Sequence, residues 1–152
     1  MRDSHSDPIR LLDAVSRLHG RLREAFAAAR LNTGLNEMEH TVLAAVTEAR
    51  SAPTVPQIGR ALGHPRQVIQ RAANRLLEQG LIATVDNPDH KRANLLIATP
   101  AGSAIQAEAN RKAEAISDHL LRQVDAAQLA AAVAHLEAIR GDLDAGARKA
   151  KP

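Results

Sequence analysis

The chain is predicted to be mainly α-helical, with a small β-hairpin near its middle. Three observations carry that prediction. Apolar residues recur at three- and four-residue steps over most of the 152 residues. That period gives way to short β-like runs only at 81–85 and 95–98. Composition agrees: alanine is abundant and loses least on entering a helix, while Phe26 is the only aromatic residue. With 45% hydrophobic residues the chain can build a core, and that core must be aliphatic.

The elements follow in order. Residues 8–29 read as one helix, with Ile9, Leu12, Val15, Leu18, Leu22, Phe26 and Ala29 on a single face. Leu31-Asn32-Thr33-Gly34 is a turn. Asn36, with Glu39 three residues on, forms a capping-box pattern that opens a second helix, lined by Met38, Val42, Ala45, Val46 and Ala49. Thr54 and Gln57 repeat the pattern, with Pro56 in the first turn, and that short helix ends at Gly63. Pro65 opens a fourth helix at its first position; Ile69, Ala72, Ala73 and Leu76 point inward and Gly80 ends it. Two strands, 81–85 and 95–98, flank a polar, turn-rich loop. Thr99-Pro100 starts the next helix, which carries Ile105, Ala109, Ile116, Leu120 and Val124. Asp125 with Gln128 starts the last, lined by Leu129, Ala132, Val133, Leu136, Ile139 and Leu143, and residues 145–152 read as a frayed tail. The order α-α-α-α-β-β-α-α holds no parallel-sheet pattern, which argues against a nucleotide-binding α/β fold.

Several function classes drop out. Without cysteine there is no disulfide, thiolate sensor or Cys-based zinc site. The polar N-terminus and the lack of any run approaching ~18 apolar residues support neither a signal peptide nor a membrane span, so a reducing cytoplasm is the expected setting. No GxSxG, P-loop or GxGxxG motif occurs, and no catalytic residue or cofactor is expected. The seven histidines form no His-x-x-x-His pair and read as scattered surface or hydrogen-bonded residues, not metal ligands.

Charge is more informative by position than by total. The segments on either side balance, whereas residues 60–92 hold Arg60, Arg66, Arg71, Arg75, Lys91 and Arg92 against Glu78, Asp86 and Asp89, which accounts for the whole net charge of +3. A neutral scaffold around a basic centre suits a phosphate-binding surface. The helices at 54–62 and 65–79, joined by a tight glycine turn, are a helix-turn-helix candidate. In that motif the second helix enters the major groove, which places Arg66, Gln67, Gln70, Arg71 and Asn74 outward as DNA-contacting residues. Arginine pairs with guanine and glutamine with adenine through two-bond forks. The hairpin tip, with His90, Lys91 and Arg92, is placed to run along the duplex.

Three stretches carry a family resemblance: Leu35-Asn36-Glu37-Met38-Glu39-His40-Thr41-Val42-Leu43, Arg75-Leu76-Leu77-Glu78-Gln79-Gly80-Leu81-Ile82, and Asp86-Asn87-Pro88-Asp89-His90-Lys91-Arg92 leading to Thr99-Pro100-Ala101-Gly102. Across roughly residues 8–143 the chain resembles the MarR family. The resemblance implies a homodimer, a winged helix-turn-helix domain at 35–100, and dimerisation helices at 1–34 and 101–144. It implies Arg92 as the wing-tip arginine and 66–71 as the base reader. It also implies a cleft for a small-molecule effector between the winged domain and the dimer helices. Two departures stand out. His90 precedes Lys91-Arg92 where the family commonly has the aspartate of Asp-Arg-Arg that helps fix the wing, and Thr84 stands where a strand arginine is common. The expected function is a sequence-specific regulator of transcription, an effector-responsive repressor bound as a dimer to a near-palindromic operator in double-stranded DNA. The alternative is a winged-helix module that binds another protein and no DNA.

Overall fold

A computed structural model describes residues 6–89 and 92–149, the last three of these as backbone. The order expected from the sequence is present: α1 (Asp7–Ala25), α2 (Glu37–Thr47), α3 (Val55–Leu62), α4 (Arg66–Glu78), β1 (Ile82–Val85), β2 (Leu95–Ala98), α5 (Pro100–Leu121) and α6 (Ala126–Lys149). The strands pair antiparallel, from Ile82 opposite Ala98 to Val85 opposite Leu95. Several ends differ from expectation: α2 stops at Thr47, short of Ala49, and α5 at Leu121, short of Val124. The first helix stops at Ala25, and a separate 3-10 turn, Ala27–Arg30, tucks Ala29 into the interior. Asn32 and Gly34 then take positive φ values of 66° and 73°, the left-handed turn that asparagine and glycine accept at low cost. The last helix runs to Lys149, past Ala145, with Ala145 and Ala147 good helix formers.

The chain forms two compact units, one up to Ala113 and one from Glu114 onward. The core lies in the first. Val42, Leu43 and Val46 of α2 meet Ile58 of α3, Ile69, Ala73 and Leu76 of α4, and Leu81, Ile82 and Leu96 of the hairpin. All are aliphatic, as the composition requires. Side-chain caps fix where these helices begin. Asn36 Oδ1 accepts from Glu39 N at 2.9 Å while Glu39 Oε2 accepts from Asn36 N at 3.0 Å. Thr54 and Gln57 repeat the exchange at the start of α3. In contrast, α1 has no buried residue: Ile9 is 70% and Leu12 67% exposed, and Val15, Leu18 and Leu22 are exposed too. Leu129, Val133, Leu136, Ile139 and Leu143 of α6 are likewise exposed.

The hairpin is tied at both sides. Leu96 N donates to Pro53 O at 2.8 Å, joining β2 to the segment ahead of α3. At the other end Thr99 stitches the start of α5 to the end of α4: its hydroxyl donates to Gly80 O at 2.7 Å and accepts from Gly102 N at 3.2 Å. Thr99 N donates to Leu81 O at 3.1 Å. This closeness leaves no room at Gly102, where an added Cβ would lie 2.0 Å from Leu81 O and 3.2 Å from Leu43 Cδ1. In an open helix Gly→Ala is stabilising. Gly102→Ala is expected to destabilise by about 1–3 kcal/mol through overpacking, read as a lower urea midpoint; a midpoint at or above wild type shows that the approach is looser in solution.

Candidate nucleic-acid interface

The surface begins with the turn between α3 and α4. Gly63 adopts φ 67°, ψ 26° and ends α3, and His64 N donates back to Gly59 O at 3.0 Å. A Cβ on Gly59 would meet His64 O at 3.0 Å, so a glycine lets the turn fold tightly on α3. Pro65 caps α4, its carbonyl accepting from Val68 N and Ile69 N. Burial of Ile69, Ala72, Ala73 and Leu76 then forces the other face outward. Arg66, Gln67, Arg71 and Asn74 are exposed there, and half-buried Gln70 donates from Nε2 to Asn74 Oδ1 at 2.9 Å.

Arg66 and Gln70 face the hairpin across a cleft of about 250 Å³, whose other side includes Thr84, Arg92 and Asn94. Arg92 is exposed and makes no ion pair among the described residues, Asp89 included. Arg71 lies toward the opposite side of α4, with Arg75, beside Asn36 and Glu39. His90 and Lys91 lie outside the described residues. Of the eight residues expected at the interface, the structure thus gathers Arg66, Gln70 and Arg92 at one cleft and sets Gln67, Arg71 and Asn74 on the exposed face of the same helix.

Two contacts were not legible in the sequence. The Glu39 carboxylate, its side chain 3% exposed, reaches past its own cap to lie 3.7 Å from Arg75 Nε, joining α2 to α4. Asn87 spans the wing loop: Nδ2 donates to Ala93 O at 2.9 Å and Oδ1 accepts from Asp89 N at 3.0 Å. Among the described residues no group of three or more His, Asp or Glu is placed to hold a metal ion, and no helix is long and apolar enough to cross a membrane.

A second concavity, of about 370 Å³, lies within the first unit between the Phe26–Arg30 turn, α2 and the middle of α5. Alanines and Phe26 line it, and Arg30, His40, Glu48, Gln106 and Asn110 bring polar groups to its wall. His40 is buried, with Nε2 2.6 Å from Thr33 Oγ1. The Thr33 hydroxyl also donates to Arg30 O at 3.0 Å. Burial holds the His40 pKa below the usual histidine value of 6.5, and the Arg30 charge adds to this; a backbone hydrogen bond to Arg30 and the Glu39 carboxylate pull the other way.

Comparison with known proteins decides the family. A MarR family model matches residues 33–93. The uncharacterized protein Rv2011c of Mycobacterium tuberculosis (strain ATCC 25618 / H37Rv) is 35% identical over 127 residues, covering 83% of this chain and 87% of that protein. The crystal structure of the MarR family transcription regulator SP03579 is 26% identical, with TM-score 0.69 over 96% of this chain and 98% of that one. The chain belongs to the MarR family. Its fold is that of the family's transcription regulators. Escherichia coli MarR, solved in a mutant form with operator DNA, shares this MarR fold at 17% identity and TM-score 0.72, covering 90% of this chain and 98% of that one.

The buried, neutral His40 gives this MarR-family chain a pH signature. Its folded-state pKa lies below the unfolded value, so its contribution to stability is full above about pH 6.5 and is lost as pH falls toward the folded-state pKa. Wild type is expected to lose more stability between pH 7.5 and 5 (roughly, bracketing the histidine range) than His40→Gln does, by urea unfolding. Equal losses in the two proteins show that His40 titrates as in the unfolded chain.

Proposed function

We propose that the protein is a sequence-specific regulator that binds double-stranded DNA as a homodimer and represses transcription from a near-palindromic operator. The observation that carries this reading is the meeting of Arg66 and Gln70 from the N-terminal half of α4 with Arg92 from the wing at one cleft. A basic helix end and a basic hairpin at that spacing match a helix in the major groove with a wing beside it. The operator complex of E. coli MarR, which shares the fold, supports it. Arg66, Gln67, Gln70, Arg71 and Asn74 read bases and position the helix; Arg92, with His90 and Lys91, holds the backbone or minor groove.

The exposed aliphatic faces of α1 and α6 support dimerisation through the terminal helices, residues 1–34 and 101–144. Light scattering at micromolar concentration is expected to give the mass of two chains; a monomer with intact helicity rules this out. The concavity beside His40 is the proposed effector site. An effector there lowers DNA affinity by favouring a spacing of the two α4 helices that misses successive major grooves.

Binding to operators selected from random DNA tests the interface. Affinity is expected to fall steeply with salt, as several phosphates are neutralised. Arg92→Ala should weaken binding to every sequence and reduce the salt slope by about one unit. Gln67→Ala should cost about 1–3 kcal/mol on the preferred site, relax preference at one position per half-site and leave non-specific binding nearly unchanged. Both side chains are exposed, so neither change should lower thermal stability much. Wild-type binding by both variants across the salt range overturns the docking, and an absence of salt-dependent DNA binding favours a protein-binding module.

A further inference from the structure

We propose that Asn87 is the positioning residue of the wing: its side-chain amide fixes the hairpin so that the Arg92 guanidinium faces the cleft shared with Arg66 and Gln70. This inference rests on the DNA-binding reading above. Its starting point is a gap in the backbone ladder. The described strand pairing ends at Val85 opposite Leu95, and among the described residues beyond it no further strand pairing orders the polar segment. Loops of this kind sample many conformations unless side chains tie them.

The Asn87 amide provides two such ties at once. Nδ2 donates across the loop to Ala93 O, six residues away, at 2.9 Å, and Oδ1 accepts from Asp89 N at 3.0 Å. One bond fixes the turn locally and the other closes the loop. A carboxylate offers only acceptors, so it keeps the bond from Asp89 N and loses the one to Ala93 O. The tied residue directly follows Arg92. Ala93 also lines both clefts beside the wing: the one it shares with Arg66, Gln70 and Arg92, and one on the other side with Thr54, Gln57 and Arg60 of the α3 segment. Pinning its carbonyl therefore helps set where Ala93 and the adjacent Arg92 lie between α3 and α4.

The tie is also uncharged. An aspartate brace near the tip would partly neutralise the adjacent arginine. Here Arg92 makes no ion pair among the described residues, so its full charge is offered to phosphate. A neutral brace is likewise insensitive to salt, so the geometry of the wing holds over the same range in which its phosphate contact weakens.

Full-length wild type, Asn87→Ala, Asn87→Asp, Arg92→Ala and the Asn87→Ala/Arg92→Ala double variant are titrated by fluorescence anisotropy. The ligands are a selected operator and a random duplex, over a range of salt concentrations. Asn87→Ala is expected to weaken both duplexes alike, by between about twofold and tenfold, the scale of one net hydrogen bond. It should move the salt slope toward that of Arg92→Ala, a change that a purely structural role would not produce. Asn87→Asp should not restore binding, and the double variant should bind like Arg92→Ala alone, because Asn87 acts through Arg92. Circular dichroism and thermal melts are expected to match wild type. Three results overturn the inference while leaving the DNA-binding reading intact: wild-type binding by Asn87→Ala when Arg92→Ala is impaired, additive losses in the double variant, or a collapse of the Asn87→Ala melt. Wild-type binding by Arg92→Ala overturns the docking reading itself, and this inference with it.

Discussion

The burial of Ile69, Ala72, Ala73 and Leu76 decides what the surface of this protein can offer. These side chains occupy the i, i+3, i+4 and i+7 positions of α4, and packing them against Val42, Leu43 and Val46 leaves the helix no rotational freedom about its own axis. A rotation large enough to turn Gln67 or Arg71 away from solvent would pull Leu76 or Ile69 into water. The proposed reading face is thus held indirectly, by the cost of exposing its back. With no aromatic ring in this core, shape matching rests on branched aliphatic residues in close contact, and the Leu81–Gly102 approach shows how little slack remains.

Helix order and helix starts were legible from the sequence because both are encoded locally. Asn36 and Glu39, Thr54 and Gln57, and Asp125 and Gln128 lie three residues apart, and each pattern announces a helix N-terminus; the first two form full capping boxes, and the Asp125 carboxylate accepts from Ala127 N and Gln128 N. Gly63 and Gly80 ended their helices in left-handed geometry for an equally local reason. What escaped was encoded across the fold. Glu39 read only as a cap, because its second partner, Arg75, lies on another helix. Asn87 read as one polar residue among many in a turn, because its tie to Ala93 exists only once the hairpin has closed. His40 read as one scattered histidine among seven, and its burial against Thr33 depends on the fold of the 31–34 turn. The end of the first helix was misplaced for the same reason: Ala27–Ala29 favour a helix by propensity, and the burial of Ala29 in a 3-10 turn is a tertiary effect.

The apolar face of α1 was legible as a pattern, and its meaning comes from contrast with the core. The same three- and four-residue spacing buries α4 and leaves Ile9, Leu12, Val15, Leu18 and Leu22 in water. Full burial of one such side chain contributes about 1.5–3 kcal/mol. Partial burial of these residues, together with Leu129, Val133, Leu136, Ile139 and Leu143, is enough to offset the roughly 4–15 kcal/mol lost when two chains associate. In the proposed dimer the terminal helices therefore have an energetic reason to pair, while the winged-helix core already satisfies itself within one chain.

That separation bears on how a signal could travel. A core that locks α4 from behind resists turning of that helix alone, so in the proposed regulation the winged domain moves as a body. The Phe26–Arg30 turn and the Asn36–His40 end of α2 are where such movement would register. Within two consecutive residues, His40 faces the concavity and hydrogen-bonds Thr33, while Glu39 closes the cap and meets Arg75 of α4. In the proposed effector site a ligand against His40 and Arg30 would press on the same helical turn that braces α4, through side chains that are already paired. On this reading the short segment from Arg30 to His40 carries three tasks set by its neighbours: it starts α2, walls the proposed effector site and anchors α4.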